Sequence, residues 1–345
     1  VTVAELAGRP DDADAALRSH ARRVVLLTGA LVAATLLLLA AGAAVGSLGW
    51  EPLWGASETA RAIVWDIRVP RSLGAWLAGA LLGLAGAVAQ GLFRNPLADP
   101  YLMGSATGAA FGVAVLLVAV GAVPGATAGA LAHLGLAGAG FLGAMAAVLL
   151  TLVLARGVQH TLRLLLAGVI VGVVFGALAA LVMFWAPEVM RAMQAFLLGT
   201  TGFLGWGGVA LLAGVLGVVL ASSVALSPAL DALALGEAVA ASLGIPLQAV
   251  RVGLVAAIAL ATGAAVAQVG LIAFVGLVAP HIVRSAVQPT HRALLVLSAL
   301  SGGVLLLAAD VLSRWLLAPQ ELPVGVLTAL LGGGYLLWLM HRRGA

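Results

Sequence analysis

At 345 residues, 63% hydrophobic and 9% charged, with a mean hydropathy of +1.17, the chain carries more apolar surface than a water-soluble domain can hide, so a membrane is its solvent. It has no cysteine, which excludes disulfides, thiolate metal sites and cysteine nucleophiles; all 17 basic residues are arginine, which excludes a Walker A phosphate loop because that loop needs a lysine. The net charge of +4 comes from arginines set singly or in pairs between apolar runs, which fits helix ends at a membrane and not a nucleic-acid-binding face.

Residues 1–23 read as a polar cytoplasmic tail, with Asp11, Asp12 and Asp14 ahead of Arg18, Arg22 and Arg23 and no apolar stretch of the kind a cleaved signal needs. Ten apolar runs follow, near 24–45, 72–92, 101–120, 140–155, 162–185, 203–221, 251–267, 271–283, 293–312 and 324–340. The basic cluster before the first run and His341, Arg342 and Arg343 after the last place both termini in the cytoplasm and make the number of spans even. A spanning helix takes roughly 20 residues, so the eighth run is too short to cross alone. It reads as a broken helix or as part of its neighbour. The expected fold is an all-α integral membrane protein of about ten transmembrane helices, with residues 24–345 as one transmembrane domain.

On this count the segments at Arg94, at Arg156 to Arg163, from about Ser222 to Arg251 and from Arg284 to Arg292 lie inside. Arg61, Arg68, Arg71, Arg191 and Arg314 fall outside, against the orientation bias, and need another explanation. The 45 glycines often recur at four-residue spacing, as in Gly79 with Gly83, Gly104 with Gly108 and Gly112, and Gly168 with Gly172 and Gly176. Small residues one turn apart let membrane helices approach closely, so these are read as packing positions.

Catalytic signatures are missing: there is no HExxH and no GxSxG elbow, and the six histidines stand apart from carboxylates in sequence. Gly138-Ala-Gly140-Phe-Leu-Gly143 has dinucleotide-fingerprint spacing but lies in an apolar tract with no strand before it. Between the sixth and seventh runs, Asp231 to Pro246 has helical apolar spacing, Glu237 in a first turn, and Gly244 and Pro246 as closing signals. A short amphipathic helix there could lie on the membrane or dock into a partner. Arg68-Val-Pro70-Arg71 and the pair Asp310 and Arg314 put guanidiniums at outer helix ends, where they could grip acidic groups of a partner, snorkel, or for Arg314 simply pair along its helix. Arg94-Asn-Pro-Leu-Ala-Asp-Pro100 reads as a rigid turn whose polar side chains either line a pathway or just reverse the chain.

Taken together, Arg68-Val-Pro-Arg71, Gln90-Gly-Leu-Phe-Arg-Asn-Pro-Leu-Ala-Asp-Pro100, Leu235-Gly-Glu through Leu243-Gly244, Phe274-Val-Gly-Leu-Val-Ala-Pro280-His281-Ile-Val-Arg284, Ala309-Asp310 and Glu321-Leu-Pro-Val-Gly-Val-Leu-Thr328 resemble the FecCD family of ABC importer permeases, which serves iron siderophores, haem and vitamin B12. The ordered set runs from about residue 60 to residue 340.

The resemblance implies a multi-pass permease of the bacterial inner membrane, working as a homodimer in contact with lipid. Two separate ATPase subunits would bind ATP and Mg, which this chain cannot do, and a periplasmic substrate-binding protein would deliver the cargo. Arg68, Arg71 and Arg314 would meet acidic residues of the binding protein. Asn95 and Leu97 would form the cytoplasmic gate, and the helix at about 235–243, through Leu235, Gly236, Glu237, Leu243 and Gly244, would couple to the ATPase. Pro280 and His281 are read as structural at an inner helix end, since a lone histidine offers one ligand where a metal site wants three or four. No metal or cofactor is expected in the chain itself, nor a nucleic-acid partner, nor an enzymatic activity of its own.

The sequence departs from the family at Leu271 and Ala273, where proline and glycine are usual, and at Leu331-Gly-Gly-Gly-Tyr335, which puts local helix breaks in question. An iron chelate, haem or ferric siderophore, is the expected cargo, with cobalamin as the alternative. An ion-coupled secondary transporter is the rival of another class. It would need ionisable residues in mid-span, where Gln90 and Gln268 are the clearest polar residues and Asp310 sits near an end.

Overall fold

The computed structural model describes residues 10–46, 49–50, 58–120, 130–155 and 161–344. The first nine residues of the expected tail, and Arg156, lie outside them. The chain forms α1 (Pro10–Ala44), a short β1 (Val45–Gly46) paired antiparallel to β2 (Gly49–Trp50), α2 (Glu58–Ile63) and a π turn (Val64–Arg68). Then come α3 (Val69–Phe93), a 3-10 turn (Pro100–Met103), α4 (Ser105–Val120), α5 (Ala130–Leu154) and α6 (Thr161–Trp185). A second 3-10 turn (Pro187–Val189) leads to α7 (Met190–Leu198), α8 (Trp206–Ala225), α9 (Ser227–Ala234) and α10 (Glu237–Ser242). The chain ends with α11 (Leu247–Val269), α12 (Val275–Ala286), α13 (His291–Trp315) and α14 (Val324–Gly344).

Each of the ten expected runs has its helix, in α1, α3, α4, α5, α6, α8, α11, α12, α13 and α14. Eight helices among the described residues are long and apolar enough to cross a membrane. The eighth run is α12, whose 12 residues rise about 18 Å. It is a broken helix and not an extension of α11. α11 stops at Gly270, in a left-handed conformation (φ +70°), and α12 restarts after Phe274 (φ +67°). Leu271 and Ala273 therefore do not heal the break. Its exposed backbone is paired instead: the Leu271 amide donates to the Phe196 carbonyl and the Thr200 amide to the Val269 carbonyl. The Gly-Gly-Gly stretch of α14 produces no break, and Gly332 lies against the Phe274 ring. The tail differs from expectation, since helix α1 already begins at Pro10.

The centre of the bundle is α3, flanked by α1, α8, α11, α12 and α13 and buried over almost all its length. α4, α5 and α6 form a second group that reaches the first through α11. In lipid the hydrophobic effect does not drive helices together, so close backbone approach and interhelical polar contacts must. Glycine supplies the approach: a side chain at Gly79 or Gly83 would collide with the α13 backbone at Gly302 or Ser298, and one at Gly86 with the Gly276 carbonyl of α12. Gly108 and Gly112 meet Gly143 and Ala139 in the same way. Gly104 packs against the Gly172 backbone as its spacing indicated and also caps the 3-10 turn at φ +79°.

A backbone obstacle cannot move aside as a flexible side chain can. Gly86→Ala is expected to destabilise the bundle by about 1–3 kcal/mol, the range for overpacking a tight core, and so to lower the yield of monodisperse permease. Gly214→Ala, at a glycine with nothing within 4 Å, should leave the yield unchanged. Size-exclusion chromatography of the two variants side by side checks this.

Candidate functional site

At the end of the bundle opposite the termini, helix α1 finishes with orphan carbonyls, as every helix does. Two of the anomalous arginines take them up. Arg314 donates to the carbonyls of Gly42 (2.9 Å) and Val45 (3.2 Å), and Arg68 to those of Ala43 (3.5 Å) and Ala44 (3.4 Å). Positive charge at a helix C-terminus is also favoured by the helix dipole.

Arg314 further pairs with Asp310, one turn back on α13, and reaches the Ser72 hydroxyl at 3.2 Å. The fully buried Asp310 also receives Arg71 Nε at 3.0 Å and the Thr201 hydroxyl. Arg71 spends its other arm on Glu321, at 2.9 Å. Two arginines and two carboxylates make the cluster neutral, and its hydrogen bonds satisfy the carboxylate that burial would otherwise penalise. Five parts of the chain meet there: the end of α1, the start of α3, the loop after α7, the end of α13 and the segment before α14. Arg68, Arg71 and Arg314 are thus only 8, 9 and 2% exposed in the protomer. Their departure from the orientation bias has its physical reason in this junction. Arg61 and Arg191, by contrast, are exposed.

At the other end, α3 terminates at Arg94 in a left-handed conformation (φ +50°). The turn after it is rigid: Leu97 donates its amide to the Asn95 side chain (2.9 Å), Ala98 to the Asn95 carbonyl (3.0 Å), and Asp99 accepts from the Tyr101 amide (2.8 Å). Residues 94–97 are exposed, Leu97 at 59%. One turn above, the Gln90 side chain receives Arg284 of α12 and donates to the Leu277 carbonyl, so α12 is clamped to α3 just above this turn.

The stretch expected to be helical from Asp231 to Pro246 divides between the end of α9 and α10, and α10 falls where the coupling helix at about 235–243 was expected. α9 is held to the bundle by buried Leu230 and Leu233 and by Asp231, which accepts from the His291 amide (3.1 Å) and contacts its ring nitrogen (2.6 Å). Leu235 and Gly236 lie outside the second helix, and Gly236 bends the chain at φ +119°. α10 then runs from Glu237 to Ser242 and closes at Gly244 (φ +76°). Leu235, Val239 and Leu243 are 70, 41 and 64% exposed beyond the end of the spans. Glu237 lies 2.6 Å from Arg251 of α11 and 3.5 Å from Arg94.

Pro280 sits inside α12, and His281 is buried edge-on to the Tyr335 ring, 5.9 Å between centroids. Among the described residues no three metal-ligand side chains cluster. Sequence reasoning missed Thr201, the Gln90 to Arg284 clamp and the role of Arg251. The only available signals were a charged residue beginning an apolar run and a glutamine inside one.

Residues 24–342 match the model of the FecCD transport family. The chain belongs to that family. The FecCD match is supported by relatives of nearly equal length. The vitamin B12 import system permease protein BtuC of Salmonella arizonae is 38% identical over 94% of this chain and 95% of its own length. That of Salmonella typhi is 39% identical over 94% and 96%. Among solved structures, an inward-facing ABC transporter of the metal-chelate type superposes with a TM-score of 0.81 at 26% identity, covering 92% of this chain and 99% of that one. PsaBC of Streptococcus pneumoniae shares the fold, with a TM-score of 0.54 at 19% identity over 76% and 88%. This FecCD protein is therefore a multi-pass transport permease of an ABC importer in the bacterial inner membrane.

Proposed function

We propose that two copies of this chain form the pore of an importer for a large metal chelate. Two separate ATPase subunits drive it, each binding ATP and Mg, and a periplasmic binding protein feeds it. The chain itself catalyses nothing. The observation that carries the reading is the apolar knob of Leu235, Val239 and Leu243, built around the positive-φ glycines Gly236 and Gly244 at the same end as the rigid turn of Asn95 and Leu97. A membrane protein gains nothing by showing leucines to the cytoplasm unless a partner covers them. α10, with Leu235, Gly236, Glu237, Leu243 and Gly244 at its borders, is accordingly the coupling helix, and Asn95 and Leu97 are the cytoplasmic gate.

Transport runs by alternating access: the loaded binding protein docks outside, and ATP turnover moves the coupling helices so that outer and inner gates open in turn. Docking reaches this cluster through Arg71 by a specific route, with Arg68 and Arg314 holding the junction behind it against the end of α1. Acidic groups of the binding protein compete with Glu321, whose side chain is 36% exposed, for the outer arm of Arg71. Pro280 and His281 keep α12 packed beside the gate.

For the cargo, two readings go forward. An iron chelate, haem or a ferric siderophore, is the one read from the sequence. Cobalamin is favoured by the B12-importing relatives. The test is ATP-dependent uptake into proteoliposomes holding permease and ATPase, with the cognate binding protein and each chelate in turn. Uptake of one chelate that needs both ATP and binding protein is expected. Equal uptake without ATP would overturn the importer reading.

A further inference from the structure

The gate turn and α10 belong to different parts of the chain, 143 residues apart. A coupling helix can act on a gate only through a physical connection between them. Three charged side chains make one. Glu237, the first residue of α10, contacts Arg94, the last residue before the turn, and Arg251 on the first part of α11. Arg251 is almost fully buried, at 4% exposure, whereas Arg94 and Glu237 are half-exposed. Glu237 is therefore anchored firmly on one side and lightly on the other.

The surroundings suit a lever. α10 is bounded by Gly236 and Gly244, both at positive φ with no atom where a side chain would stand, so its exposed ends can pivot about the buried Ala240. α9 cannot follow, being tied to α13 through Asp231 and His291. On the receiving side, the hydrogen bonds within residues 95–101 make the turn move as one body. The Gln90 clamp holds the end of α3 in place just behind it.

We propose that Glu237 is a positioning residue that transmits displacement of the coupling helix to the cytoplasmic gate through Arg94, with Arg251 as its fixed anchor. The proposal rests on the reading of α10 as the ATPase-coupling helix. A half-exposed ion pair contributes modestly, so its loss is expected to lower cargo moved per ATP hydrolysed by about two- to fivefold, and not to abolish transport.

The experiment measures uptake and ATP hydrolysis together in proteoliposomes of the whole complex, for Arg94→Gln, Glu237→Gln, the double variant and Arg94→Lys. We expect Arg94→Gln to keep normal ATPase assembly and hydrolysis while losing coupling. Arg94→Lys, which keeps a cation, should recover most of it. The double variant should be no worse than Glu237→Gln alone, since both remove one connection. A wild-type coupling ratio in Arg94→Gln, or effects that multiply in the double variant, overturns the proposal. Failure of the underlying reading looks different: Leu243→Arg would then leave the ATPase bound as tightly as in the parent.

Discussion

Asp310→Asn is expected to lower the apparent melting temperature of the purified permease by on the order of 10 °C. Asp310 is fully buried and receives Arg71, Arg314 and Thr201 at once. Removing its charge leaves two neighbouring guanidiniums to share Glu321, which lies on the solvent side of Arg71. Breaking a buried ion pair from one side costs roughly 3–5 kcal/mol, because the remaining charge stays buried without compensation. The damage would spread, since Arg314 also closes the carbonyl end of α1 and Arg71 begins α3. Asp310→Asn combined with Arg314→Gln removes one charge of each sign and should be more stable than Asp310→Asn alone. Thermal unfolding of both variants in detergent decides the matter. A melting temperature unchanged in Asp310→Asn would mean that the cluster is not what holds the outer ends together.

The second large effect is expected at the opposite end. Leu243→Arg should leave the permease folded, because the side chain is 64% exposed and touches little of its own chain. It should nevertheless strip the ATPase subunits from the purified complex. An apolar anchor replaced by a charge in a desolvated contact loses about 2–4 kcal/mol, or roughly 30- to 1,000-fold in affinity. The measurement is the amount of ATPase retained on tagged permease at equal permease load, with Leu235→Arg as a second case. Full retention in both would remove the basis for calling α10 a coupling helix. Unfolding of the permease would instead mean that these leucines pack within the protomer.

The two ends of the bundle were legible in the sequence to different degrees. Arg94 to Pro100 declared itself as a turn because asparagine, aspartate and two prolines act locally, through side-chain caps on their own backbone, and the structure returns that turn with Asn95 and Asp99 as its caps. The stretch from Asp231 to Pro246 was legible as helix but not as parts of two helices, because Gly236 stands as well at a cap as inside a turn until the chain's path is known. The arginines were the hardest. Arg68, Arg71 and Arg314 were visible as an excess of positive charge on the wrong side of the membrane. Their partners, Asp310, Glu321, Thr201 and the carbonyl end of α1, lie up to 272 residues away.

What the sequence determined by itself is the solvent, the order of the apolar helices and the family. Each depends on composition, on runs of consecutive residues or on short ordered motifs, and in lipid every span must satisfy its own backbone within one segment. The tertiary structure alone decided which charges neutralise one another, where glycine admits a neighbouring backbone, and how Leu271 and Ala273 can sit in a helix break without proline or glycine. Those are contacts between distant segments, whose energies depend on distance and burial. Neither quantity exists until α3 is enclosed by its five neighbours.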